Sequence, residues 1–466
     1  MENYFIPDPL KINDSFSDNI FCHFDSVINN KKNHRFILSV SGGSDSILLL
    51  FLFIKYFKGN SDRLIICHIN HHLRHDSDID ETFVSILGEK FNIKTYNKNL
   101  NPNDLPKGVS IEAWARESRY DYLNNIMTKT SADWIVTAHH ANDQAETILM
   151  NISEKTGLFG LGGMKEINNK IIRPLLPFTK DYLMRIIEKY SIPYVIDSSN
   201  SNINYKRNFI RNVIIKPWQK NNLNLIEAIT IAGNNFQEWQ ESILYFIKDF
   251  IVQNSLENED GSFIIEKKEL KKLPKLARVF VFQVLTNSIG KLRKHEIENI
   301  KFFFDKDIIG NKYLTKNKYI ILNDRKVFIV KKNKYRIKKY IELTVGDKCK
   351  FYGYHYSINN FSKVPFFSNN PDDEYIDQNK VLNKKLVLRL WKSGDRFKPL
   401  GMSGSQKISD FLINNKINYF EKNSQVVLTA DDKIIWLCGY RIDDSVKINS
   451  NTKSIIRINR ILNSHL

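Results

Sequence analysis

Phe36-Ile-Leu-Ser-Val-Ser-Gly-Gly-Ser-Asp-Ser46 is the stretch whose reading decides the fold. Phe36–Val40 reads as a short buried strand, and Ser46–Phe57 as a strongly apolar helix. Between them, Gly42 and Gly43 permit positive φ and let backbone N–H groups approach an anion closely. The start of the helix adds unpaired N–H groups and a partial positive charge. Ser41, Ser44 and Ser46 add hydroxyl donors. Strand, glycine loop and helix together make a phosphate cradle. It is not a Walker A loop, because no Gly-Lys-Ser/Thr follows the glycines. Asp45 is the odd residue. A carboxylate repels phosphate unless a divalent cation lies between them, and Mg²⁺, held by one or two carboxylates plus phosphate oxygens, suits that place.

Working outward, the unit repeats. Leu64–Ile69 reads as a second strand and Asp78–Phe91 as an amphipathic helix, with Asp78 as N-cap. Lys94–Asn97 reads as a short strand, Ile111–Met127 as a helix, Trp134–Thr137 as a strand and Asp143–Ser153 as a helix. This alternation predicts an α/β fold with a doubly wound parallel sheet, whose ligands lie at the carboxyl ends of its strands. After residue 217 the pattern turns helical, with Leu223–Ile251, Leu270–Ser288 and His295–Phe304. Lys331–Lys339 reads as an exposed linker or basic strand, and short β segments with glycine turns follow from Ile341. Three domains are expected: 1–216, a helical, basic domain over 217–335, and a smaller α+β domain over 336–466.

The 466 residues carry 69 Lys+Arg against 51 Asp+Glu, a net charge of +18. Residues 1–200 are near neutral at −2, residues 201–466 carry +20, and 291–340 alone carry +11. The uneven placement points to a polyanionic partner held by the back of the chain. Four scattered cysteines, Cys22, Cys67, Cys349 and Cys438, suit neither a disulfide scaffold nor a zinc site. The start of the chain lacks signal-peptide features, and no apolar run approaches the ~20 residues of a membrane span. A cytoplasmic protein with no membrane partner is expected.

Further chemistry gathers at strand ends. His68-Ile-Asn-His-His-Leu-Arg74 ends the second strand and brings His68 and Asn70 near the glycine loop. His139-His-Ala-Asn-Asp-Gln-Ala-Glu-Thr147 ends the fourth. There Asp143 opens a helix with Glu146 three residues on, and with Asp45 these make a carboxylate set for Mg²⁺ beside phosphate and for a cationic substrate. His139 or His140 is placed to take a proton near neutral pH. Glu112, Arg116 and Arg119 share one helix face, as do Arg207 and Arg211.

The six-residue loop resembles the pyrophosphate-binding loop (PP-loop) of ATP pyrophosphatases. The run of S-G-G-S-D-S, H-x-N-H-H-L-R, E-A-W-A-R-E-S-R-Y and H-H-A-N-D-Q-A-E-T resembles the bacterial tRNA(Ile)-lysidine synthetases. Gly157–Met164, Ile172–Leu176, Asp197–Asn200, Leu388–Met402 and Ile435–Asp443 continue the likeness. Two departures stand out. Glu154-Lys155 precede Thr156-Gly157 where the family often has Arg-Gly before Ser-Gly, and Asn142 stands where many members carry a second Asp.

The resemblance implies a ligation of free lysine to the wobble cytidine of a CAU-anticodon tRNA(Ile). The cytidine C2 oxygen first attacks the α-phosphate of ATP, and lysine's ε-amine then displaces AMP, changing codon reading from AUG to AUA. It implies ATP contacts from Ser41, Gly42, Gly43, Ser44, Asp45, Ser46, His68 and Asn70. Mg²⁺ would sit at Asp45 with Asp143, and catalytic roles fall to Asp45, Asp143, Glu146 and Arg116. tRNA contacts are expected from Arg207, Arg211, Lys392, Arg396 and Lys398, with Lys407 close to the last three. Family analogy allows a homodimer. The residue that deprotonates lysine stays open. A PP-loop tRNA thiolase would need a reactive cysteine pair or an iron–sulfur cluster. A non-catalytic tRNA-binding protein on the same scaffold would have no need of Asp45, Asp143 and Glu146.

Overall fold

The computed structural model describes residues 5–28, 31, 33–72, 77–154, 156–196, 203, 205–290, 292–333, 340–362 and 370–462. Leu73-Arg74, Lys155, Asp197–Asn200 and 334–339, all singled out above, lie outside them. The chain divides into two compact units, Met1–Phe246 with Ile289–Ile297, and Ile247–Ser288 with Glu298–Leu466.

The first unit runs α1 (Ser15–Ile28), β1 (Phe36–Ser39), α2 (Ser44–Tyr56), β2 (Leu64–Asn70), α3 (Ser77–Lys90), β3 (Lys94–Asn99), α4 (Ile111–Thr130), β4 (Trp134–Val136), α5 (Ala141–Ser153), α6 (Leu158–Leu161), β5 (Ile167–Asn168), β6 (Ile171–Ile172) and α7 (Lys180–Lys189). α8 (Lys206–Phe209) continues through a π-helical stretch, Ile210–Ile215, into α9 (Lys216–Asn221), and α10 (Leu225–Asn254) follows, its residues from Ile247 on belonging to the second unit. The sheet order is β3-β2-β1-β4-β6-β5. All neighbours are parallel except the β5–β6 pair, with Phe36 opposite both Leu64 and Trp134.

Period-two alternation sorts the strands' side chains onto two faces. Phe36, Leu38, Leu64 and Ile66 join Phe24 of α1, α2 and Leu183 of α7 in one core. Ile37, Ile65 and Cys67 join Trp114, Leu123 and Ile126 of α4 in another. Helices thus cover both faces, which is why α2 is apolar almost all round, with Ile47–Phe53 fully buried. The strand order reverses at β1, and β1, β2 and β4 deliver the glycine loop and both histidine clusters to one edge.

Two local readings shift. α5 starts at Ala141 with His140 as its N-cap, so Asp143 sits inside the first turn and does not open the helix. α3 starts at Ser77, so Asp78 is its second residue and not its cap.

The second unit holds β7 (Ser255–Glu257), β8 (Phe263–Glu266), α11 (Lys267–Lys272) and α12 (Lys275–Leu285). The helix expected over Leu270–Ser288 is interrupted at Pro274, which has no N–H to continue it. α13 (Lys294–Lys306), β9 (Lys312–Leu314), β10 (Tyr319–Asp324) and β11 (Val327–Lys332) follow. The helices read for this region are present, beside a five-stranded sheet, β7-β8-β11-β10-β9, that the sequence did not reveal. Phe282, Phe304 and Phe328 pack between its helices and strands.

The chain then forms β12 (Tyr340–Leu343), β13 (Lys348–Phe351), β14 (Tyr354–Phe361), β15 (Asp373–Asp377), β16 (Leu386–Leu390), β17 (Arg396–Phe397), β18 (Gln406–Lys407), α14 (Ile408–Asn414), α15 (Tyr419–Ser424), β19 (Val426–Ala430), β20 (Lys433–Leu437), β21 (Arg441–Ile442) and β22 (Ile455–Leu462). A five-stranded sheet, β12-β16-β19-β20-β21, and a four-stranded sheet, β13-β14-β22-β15, share one core that includes Leu388, Trp436, Ile358 and Ile458. Among the described residues no helix is long and apolar enough to cross a membrane.

Candidate active site

Gly42 has φ +93°, and a Cβ there would lie 3.3 Å from the Asp80 side chain, so the loop needs glycine on both counts. Ser46 Oγ accepts from Ser41 N–H at 3.1 Å and donates to the Gly43 carbonyl at 2.9 Å. Ser41 Oγ lies 3.1 Å from Ser46 Oγ. Two of the three serines therefore brace the loop itself. Ser44 is engaged differently: its Oγ accepts from Lys180 Nζ at 2.7 Å, and the same ammonium donates to Asp45 Oδ1 at 2.6 Å.

Sequence reasoning missed Lys180. Its signal was faint, a Thr-Lys pair at the start of α7 in which Thr179 caps Tyr182 N–H. Asn142, the departure noted above, holds that helix start in place, its Oδ1 accepting from Lys180 N–H at 2.8 Å.

His140 links the loop to α5. Its Nε2 is 3.5 Å from both Asp45 Oδ2 and Asp143 Oδ2, and its backbone N–H donates to Asp143 Oδ2 at 3.0 Å. Burial opposes charge on this imidazole, but Asp143 and Asp45 outweigh it and raise its pKa. Burial likewise opposes ionisation of Asp143, and His140 and Arg207 overcome it, holding the carboxyl at about 2. Asp45 is lowered in the same way, by His140 and Lys180 against burial. The neighbouring His139 goes the other way. Burial pushes it to about 3 despite Asp143, and its Nδ1 pairs with Thr137 Oγ1 at 2.8 Å. Of the two histidines, His140 is the one held toward its protonated form.

Glu146 is almost fully buried at 1% exposure and meets two guanidiniums. Arg207 Nε donates to its Oε2 at 2.6 Å and Arg211 Nε to its Oε1 at 2.5 Å. Arg207 Nη2 also donates to Asp143 Oδ1 at 2.7 Å. Arg207 and Arg211 do face one way, as their spacing implied, and that way is toward the α5 carboxylates. About a third of each arginine side chain remains exposed.

His68 Nδ1 donates to the Val40 carbonyl at 2.9 Å, and burial lowers its pKa, so the neutral ring presents its Nε2 lone pair. That nitrogen has no partner among the described residues. Asn70 is spent locally: Nδ2 donates to Asp78 and Glu81, and Oδ1 accepts from His72 N–H. Arg116 is exposed, with its guanidinium 5.2 Å from the Tyr120 ring centroid.

The Gly157–Met164 loop is pinned by three glutamines. Gln144 Nε2 and Gln237 Nε2 both donate to the Gly162 and Met164 carbonyls, and Gln240 Nε2 donates to Leu158 O. Glu154, ahead of this loop, pairs with Lys206 at 2.8 Å.

Among the described residues no three His, Cys, Asp or Glu side chains gather to hold a metal alone. Mg²⁺ rarely needs such a cage. A single carboxylate such as Asp45 beside phosphate oxygens is its usual setting, so the residues fit a cation that arrives with ATP.

In the second unit, Lys392, Arg396 and Lys398 fall together around the β17–β18 ribbon. Arg396 stands directly opposite Lys407. Both are exposed, and among the described residues Arg396 donates only to Ser405. Lys398 is half-buried and pairs with Asp444 at 3.2 Å.

The PP-loop domain family matches residues 17–218, and the TilS substrate C-terminal domain family matches 386–459. A tRNA(Ile)-lysidine synthase of Clostridium acetobutylicum is 31% identical over 467 residues, covering 92% of this chain and 95% of that protein. One of Clostridium tetani is 30% identical over 456 residues, covering 92% and 94%. The chain belongs to the tRNA(Ile)-lysidine synthase family. It is an ATP-binding enzyme of that kind, a ligase on a PP-loop scaffold. A solved U34-tRNA thiolase, NcsA from Methanococcus maripaludis, is similar over 48% of this chain and 80% of its own, at 18% identity and a TM-score of 0.42.

Proposed function

We propose that this synthase joins the ε-amine of free L-lysine to C2 of the wobble cytidine in CAU-anticodon tRNA(Ile), through an adenylated cytidine. In the first step the cytidine C2 oxygen attacks the α-phosphate and pyrophosphate leaves. In the second the amine attacks C2 and AMP leaves. The product reads AUA in place of AUG.

The buried carboxylate pair on α5 carries this reading. Asp143 and Glu146 are negatively charged acceptors one helical turn apart, and in this structure both are met by arginine. Such a pair suits a lysine ammonium better than it suits phosphate. Arg207 and Arg211 keep the carboxylates compensated until that cation arrives, and their exposed edges remain open to the RNA backbone.

The loop N–H groups and the α2 N-terminus receive the triphosphate. Asp45, with Asp143 across His140, would hold Mg²⁺, which neutralises charge building on pyrophosphate. His68 Nε2 accepts from a nucleotide N–H or O–H. Arg116 contacts phosphate or the adenylated base. An ammonium of ordinary pKa ≈ 10.4 must lose a proton before attack, to a side chain of the site or to water.

tRNA would be held by the Lys392, Arg396, Lys398 and Lys407 ribbon. The basic stretch 291–340, whose Arg293, Lys294, Lys312, Lys326 and Lys332 are exposed, would supply further RNA contacts. We retain 1–216 as the catalytic domain, with 217–335 and 336–466 as tRNA-contacting domains.

Sulfur transfer fits less well. Burial pushes the Cys67 thiol up to about 12 and raises that of Cys438, so neither is a ready nucleophile.

The test is incubation with ATP, radiolabelled lysine and CAU-anticodon tRNA(Ile). Label in the RNA is expected. Sulfur incorporation, or no label with intact ATP binding, would overturn the reading.

A further inference from the structure

We propose that an apolar strip along α8 and α9, made of Phe209, Val213, Ile214 and Trp218, is a stacking platform for the unpaired anticodon bases beside the wobble cytidine. This deepens the ligation reading above and rests on it. Trp218 is 49% exposed and Phe209 42%, and neither has a ring partner among the described residues. Val213 and Ile214 are exposed between them. Phe209 with Val213, and Ile214 with Trp218, are pairs four apart, so the four run as one strip along the helix. Contiguous exposed apolar side chains of this size mark a surface with a partner. The strip is firmly seated. Ile210 and Ile215 of the same stretch are buried with Ala141 and Ala145 of α5, and Arg207 and Arg211 leave it for Asp143 and Glu146.

Charge selects the occupant. Between Asp197 and Glu227 the sequence has five basic side chains, Lys206, Arg207, Arg211, Lys216 and Lys220, and no acidic one. Asp143 and Glu146 hold the two arginines, and Glu154 holds Lys206. Lys216 and Lys220 are exposed and form no ion pair among the described residues. Rings flanked by free cations fit bases joined by phosphates, whereas a second copy of a chain at +18 would be repelled. The chemistry makes the same demand. A base must leave its stack to bring C2 to the α-phosphate, and its neighbours then lose a stacking face. An aromatic side chain restores that face whatever the sequence, because every base has a π-face. Nine positions separate Phe209 from Trp218, roughly 13 Å along a helix, the length of about three or four bases stacked ~3.4 Å apart.

The test uses the full chain and an anticodon stem-loop RNA with the CAU triplet, carrying 2-aminopurine in place of the triplet's adenine. Stacking quenches this base. At saturation it should stay dim on wild type and brighten by about twofold or more on Phe209→Ala with Trp218→Ala. Affinity of this double variant for the stem-loop should fall about tenfold or more, the scale of lost base–aromatic stacking. Trp218→Phe keeps a ring and should stay within about threefold of wild type. The slope of log affinity against log salt should hold, because no phosphate contact is removed. A duplex of the same stem without the loop should bind wild type and the double variant alike. Wild-type affinity and dimness in the double variant would overturn the proposal, as would an equal loss for the duplex or a flattened slope. A switch from dimer to monomer with stem-loop affinity intact would also overturn it, making the strip a contact between copies of this chain.

A measurement on the unaltered protein does not depend on the variants folding. With 4-thiouridine in place of the triplet's uridine, ultraviolet crosslinking and mass spectrometry should find adducts on Phe209 or Trp218. Adducts confined to residues outside the strip would overturn the proposal. Lysine incorporation by wild type is scored separately. If it is absent while stem-loop binding still depends on both rings, the ligation reading fails and the platform stands.

Discussion

The α5 carboxylates and the β17–β18 ribbon both concentrate charge, and they handle it in opposite ways. Around α5, Asp143 and Glu146 are buried, and every charge has a counter-charge within hydrogen-bond reach. On the ribbon, Arg396 and Lys407 stand opposite each other, and neither forms an ion pair with a carboxylate among the described residues. Like charges across a strand pair are destabilising, whereas a buried pair must be compensated or it will not stay charged. The first arrangement keeps a site organised without its substrate. The second leaves charge available to a polyanion. If that contrast is right, breaking each region damages a different property.

The largest effect is expected at Asp45. Asp45→Ala should lower adenylation by about 10³-fold, the scale of losing a key electrostatic contact at a developing charge, with tRNA affinity unchanged. Product-forming turnover close to wild type would remove Asp45 from the chemistry. Glu146→Ala leaves Arg207 with Asp143 alone at 2.7 Å and Arg211 with Asp143 only at 3.8 Å. Removing one partner of a buried pair costs about 3–5 kcal/mol, and the lower end applies because both arginines keep a third of their surface. A lower melting temperature together with loss of lysine incorporation is expected. Stability equal to wild type would show that the buried network is not the compensated device described.

How much of this was legible follows the range of the interactions. The glycine loop, the histidine clusters and the parallel order of the sheet were readable because each is written in contiguous residues with a clear period. Arg207 and Arg211 were correctly placed on one side, since a spacing of four survives the π-helical stretch between α8 and α9. Their target was not legible, because Glu146 lies 61 and 65 residues away in sequence. The partner of Lys180 was not legible for the same reason, Asp45 being 135 residues away. The sheet built on β8, β10 and β11 escaped because its strands are short and the lysines around them mask the apolar alternation. In the ribbon, composition revealed the charge, but only the pairing register puts Arg396 opposite Lys407.

The pH response separates the two regions further. The folded Asp143 binds its proton at about 2, below its ordinary value near 3.8, so between these values the unfolded chain holds more protons. Stability from this group is complete above pH ~4 and fades as pH falls toward 2, an effect of about 2 kcal/mol. Asp45 shifts in the same direction. His140 is raised, so its contribution is complete below its ordinary 6.5 and is lost as pH climbs through the folded value. The melting-temperature gap between wild type and Asp143→Asn should therefore narrow by about half as pH drops from 5 to 3. A gap that stays constant over that range would mean the carboxylate is not held by its neighbours.

The smallest effect belongs to the ribbon, and it is the sharpest test of the contrast. Arg396→Ala with Lys407→Ala removes two cations that repel each other, so stability should hold or rise by a few tenths of a kcal/mol. Affinity for tRNA should fall about three- to tenfold at low salt. Each cation that meets a phosphate releases counterions on binding, so the slope of log affinity against log salt should flatten by about 1 to 2. ATP affinity should not move, because neither residue belongs to the nucleotide cradle. A weaker Kd with an unchanged slope would assign the loss to altered shape and not to phosphate contact. An unchanged Kd with raised stability would make the pair a tolerated repulsion with no ligand. Only a flattened slope in a protein at least as stable as wild type supports the idea that the ribbon keeps its charge unpaired because RNA is its counter-ion.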